Sequence, residues 1–265
     1  MKQRLDILLV ERRLVESRVK AQWLIKNGYV IVNDEEIIKP GKKIENSSTI
    51  RLTQKFPYVG RGGLKLEAAL KKFSIEVRGK VCVDIGASVG GFTDCLFQNG
   101  AIKVYAVDTA KGLLHPSLKR KNNKLIELFG VDARQLKSLP VKIDIVTIDV
   151  TFSSLKSILP NIKNYLKKNG DIIVLVKPLF ETSFREESRF KIITDLVVLK
   201  KILGDLIEWS IKNSFFPKGL IGSPLQGKGG SIEFLLYLKI DKDHNFDFEY
   251  VIEKVFKDMK EMTSN

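Results

Sequence analysis

The run Val81-Cys82-Val83-Asp84-Ile85, followed at once by Gly86-Ala87-Ser88-Val89-Gly90-Gly91, constrains this chain more than any other stretch. Val81, Val83 and Ile85 make a compact apolar strand, and Gly86, Gly90 and Gly91 permit a tight backbone path that side chains would block. Beyond the turn, helical spacing covers 91–98, and apolar strands cover 103–107, 124–128, 143–148 and 171–176. Helices over 155–166 and 192–212 and a last apolar strand over 232–240 complete the pattern. Strands alternating with helices predict an α/β fold with a doubly wound, mainly parallel sheet.

A glycine turn between strand and helix is a candidate cofactor site. Gly86-x-Ser88-x-x-Gly91 loosely fits the dinucleotide pattern, in which a pyrophosphate sits on the helix N-terminus. Asp84 argues against that, because a carboxylate at the strand end repels a pyrophosphate and suits a cationic ligand such as S-adenosylmethionine. Asp108 closes the next strand, where an acidic residue meets a ribose diol in nucleotide-binding sheets. Asp132, past the third strand, either accepts from an adenine amino group or caps a helix.

Asp149 and Lys177 each end an apolar strand, and open α/β sheets place their ligands at those carboxyl ends. Neighbouring parallel strands would bring the two side chains together. Glu233 begins the last strand, so an antiparallel course would carry it to the same edge, and Lys65 enters just before the first strand. Two lysines and two carboxylates in one cleft suit activation of an alcohol: a lysine of depressed pKa removes the proton while the others align donor and acceptor. Two structural ion pairs are the alternative.

The region before the sheet has its own pattern. Leu5, Leu8 and Leu9 recur at helical spacing, a second helix follows Ser17 with Ala21, Leu24 and Ile25 inward, and short strands follow Asn27-Gly28. Arg12, Arg13, Arg18, Lys20 and Lys26 make a basic face on a segment too small to hold a catalytic pocket. The whole chain of 265 residues has 45 Lys and Arg against 31 Asp and Glu, a net charge of +14, which predicts a polyanionic partner. Arg4-Leu5-Asp6 with Leu8, Ser17-Arg18-x-x-Ala21 and Ile25-x-x-Gly28-x-Val30-x-Val32-Asn33 resemble an S4 domain, a small RNA-binding module. The expected organisation is an S4-like RNA-binding domain over 1–52, a linker over 53–61 and a catalytic domain over 62–265.

Longer motifs extend the resemblance: Tyr58-Val59-x-Arg61-Gly62-Gly63-x-Lys65-Leu66, Asp84-Ile85-Gly86-Ala87-Ser88-x-Gly90-Gly91-Phe92-Thr93-Asp94-Cys95-Leu96, Ile148-Asp149-Val150-x-Phe152 and Leu175-Val176-Lys177-Pro178-x-Phe180-Glu181. With Gly222-Ser223-Pro224 and Glu233-Phe234, they resemble the TlyA, or hemolysin A, family of S4-domain rRNA 2′-O-methyltransferases, whose catalytic domain is a Rossmann-like, FtsJ-like fold with an antiparallel last strand. The resemblance implies methylation of cytidine ribose in ribosomal RNA, with ribosomal RNA or subunits as partner. It implies a Lys65, Asp149, Lys177, Glu233 tetrad, with Lys177 deprotonating the hydroxyl and Asp149 orienting it. It further implies that Asp84, Gly86, Ser88 and Gly90 hold the methionine part of S-adenosylmethionine, Asp108 its ribose, and Asp132 or Ala133 its adenine, with Ala87, Gly91 and Phe92 also in the cofactor site. Arg4, Arg12, Arg18, Lys20 and Arg61 are the expected RNA contacts. The chain departs from the family at Gly60, usually serine, at Asp132, often asparagine, at Gly230-Ser231 before the glutamate, and over 182–190, which lacks the usual glycines.

Two cysteines, Cys82 and Cys95, and two histidines, His115 and His244, predict neither a disulfide framework nor a metal site. The first residues lack the apolar core of a signal peptide and no apolar run is long enough to span a bilayer, so the expectation is a cytoplasmic protein without a membrane partner. A non-catalytic RNA-binding ribosome-assembly factor, and after it a membrane-active hemolysin, are the alternative readings.

Overall fold

The computed structural model describes residues 1–182, 192–241 and 247–263. They fall into two compact units that part between Pro57 and Tyr58, inside the segment read as a linker.

In the first unit β1 (Lys2–Arg4) leads into α1 (Leu5–Glu11), followed by α2 (Arg18–Lys26), β2 (Val30–Val32), β3 (Glu35–Glu36), β4 (Lys43–Glu45) and β5 (Ile50–Leu52). Ser17 caps α2 by accepting from the Lys20 amide. Leu5, Leu8 and Leu9 pack with Ala21, Leu24 and Ile25 over Val30, Val32 and Ile44. Each fully buried aliphatic side chain contributes about 1.5–3 kcal/mol, so this cluster alone can hold two short helices on a small sheet. Asn33 and Asp34 both take positive φ, the conformation of a type I′ turn, and join β2 to antiparallel β3. β1 and β4, three residues each, are too short for alternation to reveal them.

The second unit runs α3 (Gly62–Phe73), β6 (Val81–Ile85), α4 (Gly91–Gln98), β7 (Lys103–Asp108), α5 (Pro116–Lys119), β8 (Leu125–Phe129) and β9 (Ile143–Ile148). It continues through α6 (Leu159–Ile162), β10 (Leu166–Val176), α7 (Pro178–Glu181), α8 (Leu196–Lys212), β11 (Phe216–Gly222), β12 (Phe234–Lys239) and α9 (Phe248–Thr263). The sheet order is β11-β12-β10-β9-β6-β7-β8, and β12 runs antiparallel to both neighbours while the pairs from β10 to β8 are parallel. The chain therefore travels outward from β6 to β8 and returns to β9 on the other side of β6. That reversal is the point where open α/β sheets leave a ligand crevice.

Several expectations need correction. The helix expected over 155–166 is only a 3-10 turn at Leu155–Ser157 and the single turn of α6, because Pro160 sits inside it and Leu166 already belongs to β10. The long helix starts at Leu196, not 192, because the Asp195 carboxylate caps it by accepting from Val197 and Val198 amides. β11 escaped notice because Pro217 and Gly219 interrupt its pattern, which an edge strand tolerates. α9 was also missed, although Ile252, Val255 and Phe256 line one buried face. Residues 183–191 and His244 lie outside the described residues. Among the described residues no helix is long and apolar enough to cross a membrane, and no cluster of His, Cys, Asp and Glu has metal-binding geometry.

Candidate active site

The turn after β6 is built on close backbone approach. Gly86 has φ +81°, and a Cβ there would stand 2.2 Å from the Asp149 carbonyl oxygen, so only glycine lets β6 and β9 end side by side. Gly91 opens α4 and faces backbone atoms of Gly60, Gly62 and Gly63 at 3.2–3.3 Å from its would-be Cβ. The first turns of α3 and α4 are thereby packed main chain to main chain. The Val59 amide donates to Asp94 Oδ2 at 2.8 Å and fixes the entry to α3. Ala87 and Phe92 are buried, while Ser88, with φ +50°, is exposed.

Asp84 requires a correction. It is 0% exposed and does not line the crevice; Thr93 Oγ1 donates to Oδ2 at 2.6 Å and Thr147 Oγ1 to Oδ1 at 3.0 Å. Burial pushes its carboxyl up to about 7, against the two threonine hydroxyls and with repulsion from Asp149 adding to the rise. The residue ties β6 to α4 and β9, with both carboxylate oxygens engaged inside the protein. Asp108 does reach the crevice: Oδ2 accepts from the Ser88 amide and Oδ1 from Ala110, at 2.8 and 2.9 Å, and each oxygen keeps acceptor capacity. Asp132 accepts from both the Arg134 amide and its guanidinium, which holds the carboxyl below its usual range, and Ala133 beside it is buried. No helix begins there for Asp132 to cap; its carboxylate closes a short turn on the Arg134 amide and pairs with the Arg134 guanidinium.

At the other side of the turn four charged residues converge in two pairs. Lys177 Nζ lies 2.6 Å from Asp149 Oδ1. Val176 pairs with Phe234, so Lys177 and Glu233, one step beyond on antiparallel strands, stand opposite each other. Glu233 in turn forms a buried ion pair with Lys65 from α3, and both are under 10% exposed as residues. Lys177 and Glu233 line one cleft of about 420 Å³, whose other walls include Thr151, Phe152, Pro178, Phe180, Ile193 and Ser231. A Cβ on Gly62 would come 3.8 Å from Asp149 Oδ2, which sets the start of α3, and Arg61 before it, beside the same carboxylate.

Other residues at this cleft take roles that only the structure shows. Thr151 Oγ1 accepts from Lys177 Nζ at 3.2 Å. Phe152 is 75% exposed with φ +68°, and its ring meets Phe180 edge-on at 5.4 Å. A large apolar ring in the left-handed region is unfavourable both in hydration and in backbone energy. Gly227 is required by Glu233: a Cβ at 227 would lie 2.1 Å from Oε1. Spacing alone reveals none of these, because backbone sign and loop packing are tertiary properties.

The expected RNA contacts of the first unit, Arg4, Arg12, Arg18 and Lys20, are all engaged within it. Arg4 and Arg18 both donate to the fully buried Asp6, together with Gln22, and these partners hold the Asp6 carboxyl well below its ordinary range. Arg12 donates to the Ser48 and Asn46 carbonyls, and Lys20 pairs with Glu16. The guanidinium faces of Arg4 and Arg18 remain about half exposed, with side-chain exposures of 43% and 55%. Lys26, Lys39, Lys43 and Arg51 are exposed on the same unit.

Comparison with known proteins converges on one assignment. Residues 58–240 match the FtsJ-like methyltransferase family and residues 3–50 match the S4 domain. YqxC of Bacillus subtilis is 42% identical over 246 residues, spanning 89% of this chain and 85% of that protein. The 16S/23S rRNA (cytidine-2′-O)-methyltransferase TlyA of Mycobacterium tuberculosis is 32% identical over 91% of each chain. A solved structure from Streptococcus thermophilus that carries the working label hemolysin superimposes with a TM-score of 0.72 at 34% identity, covering 100% of this chain and 99% of that one. With a glycine crevice at the sheet reversal, two Lys–carboxylate pairs beside it and an S4 domain earlier in the sequence, the chain belongs to the FtsJ-like methyltransferases, in their S4-bearing TlyA, or hemolysin A, family.

Proposed function

We propose that this protein transfers the methyl group of S-adenosylmethionine to the 2′-hydroxyl of a ribose in ribosomal RNA, a cytidine ribose in the first instance. The observation that carries this reading is the convergence of Lys177, Asp149, Glu233 and Lys65 on one sheet edge directly beside the glycine turn. A ribose hydroxyl is a weak nucleophile, and moving its proton is what such a site contributes.

The donor fits the crevice by the chemistry of the groups present. Asp108 offers two carboxylate oxygens whose remaining lone pairs suit a cis-diol. Gly86, Gly90 and Gly91 keep side chains out of the turn, Ala87, Ser88 and Phe92 complete it, and Ala133 offers a small wall for the adenine. When bound, the donor supplies an electrophilic methyl on a positively charged sulfur. Asp84 contributes at one remove, by holding Thr93 in α4 and Thr147 in β9. Lys177 Nζ, acting in its deprotonated form, takes the hydroxyl proton as the oxygen bonds to the methyl carbon and the carbon–sulfur bond breaks to leave a neutral thioether; Asp149 and Thr151 hold that nitrogen in place, and Lys65 with Glu233 close the wall behind it. Phe152, exposed next to Lys177, gives a base an aromatic face.

The first unit is the RNA-docking module in this reading, through the outward faces of Arg4, Arg12, Arg18 and Lys20, with Arg61 at the catalytic cleft. The organisation follows: an S4 domain over residues 1–52, a joining segment over 53–61, and the methyltransferase from 62 onward. The relative from Mycobacterium tuberculosis is named for cytidine ribose methylation of both rRNAs, which supports the substrate class. The test is incorporation of labelled methyl from S-adenosylmethionine into purified ribosomal subunits. Transfer into rRNA is expected, and transfer confined to protein, or none, would refute the reading.

A further inference from the structure

Phe152 sits in a conformation that its own sequence does not favour. It is a bulky non-glycine residue at φ +68° and is 75% exposed, so burial of its ring does not compensate the backbone strain. Something else in the loop after β9 must fix it. Glu181, at the end of α7, reaches across from the segment after β10: Oε2 accepts from Ser154 Oγ at 2.6 Å and Oε1 accepts from the Leu155 amide at 2.8 Å. Leu155 is 1% exposed and anchors the far end of the loop in the core. The near end is held by Lys177, which meets Asp149 and Thr151. The loop 150–155 is thus fastened at both ends to the segment 177–181, once through Lys177 and once through Glu181, and Phe152 is the residue stretched between the fastenings.

We infer that Glu181 is a positioning residue for the acceptor side of the cleft: its carboxylate holds loop 150–155 so that Thr151 stays on Lys177 and Phe152 stays exposed beside it. The inference rests on the methyltransferase reading of the same site. The donor crevice, formed by the turn after β6 and by Asp108, shares no hydrogen bond with Glu181 among those described, so donor binding and acceptor handling separate. Loss of Glu181 therefore raises KM for RNA and lowers kcat but leaves donor affinity in place.

The experiment compares wild type with Glu181→Ala, Glu181→Gln and Ser154→Ala in three measurements. Hydrogen exchange of a peptide spanning 150–157, which requires no substrate, rises at least tenfold in Glu181→Ala because the Leu155 amide loses its acceptor. Calorimetric affinity for S-adenosylmethionine stays within twofold. Catalytic efficiency toward ribosomal subunits falls about tenfold or more, while Glu181→Gln, whose amide oxygen still accepts from Leu155, recovers most of it, and Ser154→Ala falls between. Unchanged exchange over 150–157 overturns the inference, whether or not the wild type is active. So does an equal loss of donor affinity, which would mark Glu181 as general support for the fold. A wild type that exchanges as described but methylates no RNA refutes the proposed function instead.

Discussion

Lys65 and Glu233 stand 168 residues apart in the chain and form a buried ion pair at the cleft, one from the first helix of the catalytic unit and one from the entry to its antiparallel strand. Taking both charges out of water is costly, and removing one leaves the other uncompensated. Lys65→Ala or Glu233→Ala is therefore expected to destabilise the protein by about 3–5 kcal/mol in urea unfolding. Replacing both with methionine should restore most of that stability and none of the activity. Such a result would separate the structural part of the pair from its part in the reaction.

Lys177 is less buried, with 17% of its side chain exposed, and it pairs with an Asp149 that is 25% exposed. Its loss should spare the fold. Lys177→Ala is expected to lower kcat by roughly 10²–10⁴-fold, the range for removing a general base, with donor affinity unchanged by calorimetry. Lys177→Arg should be no better, since a guanidinium does not give up its proton near neutral pH. Full activity in either variant would remove Lys177 from the mechanism.

Asp84 predicts a pH effect of definite sign. Its folded-state value, about 7, lies above the ordinary 3.8, so the folded protein binds the proton more tightly than the unfolded chain. The stability it contributes is complete below pH 3.8 and is lost as pH rises through 7. Asp84→Asn removes this dependence. The variant should therefore gain on the wild type between pH 4 and pH 8, by an amount on the order of 4 kcal/mol, in denaturant titrations at the two values. A difference that is flat with pH would show that the carboxylate is charged throughout.

Gly86→Ala should be more damaging than an ordinary glycine substitution. The new methyl would meet the Asp149 carbonyl at 2.2 Å at a position with φ +81°, so the ends of β6 and β9 must part. A destabilisation above about 1–3 kcal/mol is expected together with weaker binding of S-adenosylmethionine, read by thermal shift with and without ligand. Gly79→Ala, at φ +75° with open space around it, is the control that carries backbone strain alone.

The layers of the fold differ in how far sequence reveals them. β6, α4 and β9 were legible because their apolar residues recur at clean spacing, and glycines punctuate the ends of β6 and α4. The rule that ligands gather at strand carboxyl ends located Asp149 and Lys177 on one edge, and they lie 2.6 Å apart. The same rule misled at Asp84, where the side chain points into the sheet and meets Thr93 and Thr147, a direction fixed by packing and not by position in the strand. Arg4 and Arg18 read as outward charge, yet both turn to Asp6, because a buried carboxylate demands partners and the nearest cations supply them. Phe152 and Glu181 stand in the family-like motifs, but their roles, and Thr151 altogether, stayed hidden since their meaning lies in a loop conformation shared between two strand ends.

The central claim is most directly tested by nucleoside mass spectrometry of rRNA after incubating purified subunits with this protein and S-adenosylmethionine. The account predicts a new 2′-O-methylated ribose, as 2′-O-methylcytidine, that disappears with Lys177→Ala. A methyl group found on a base, or an unchanged nucleoside profile with active donor-bound protein, would contradict it.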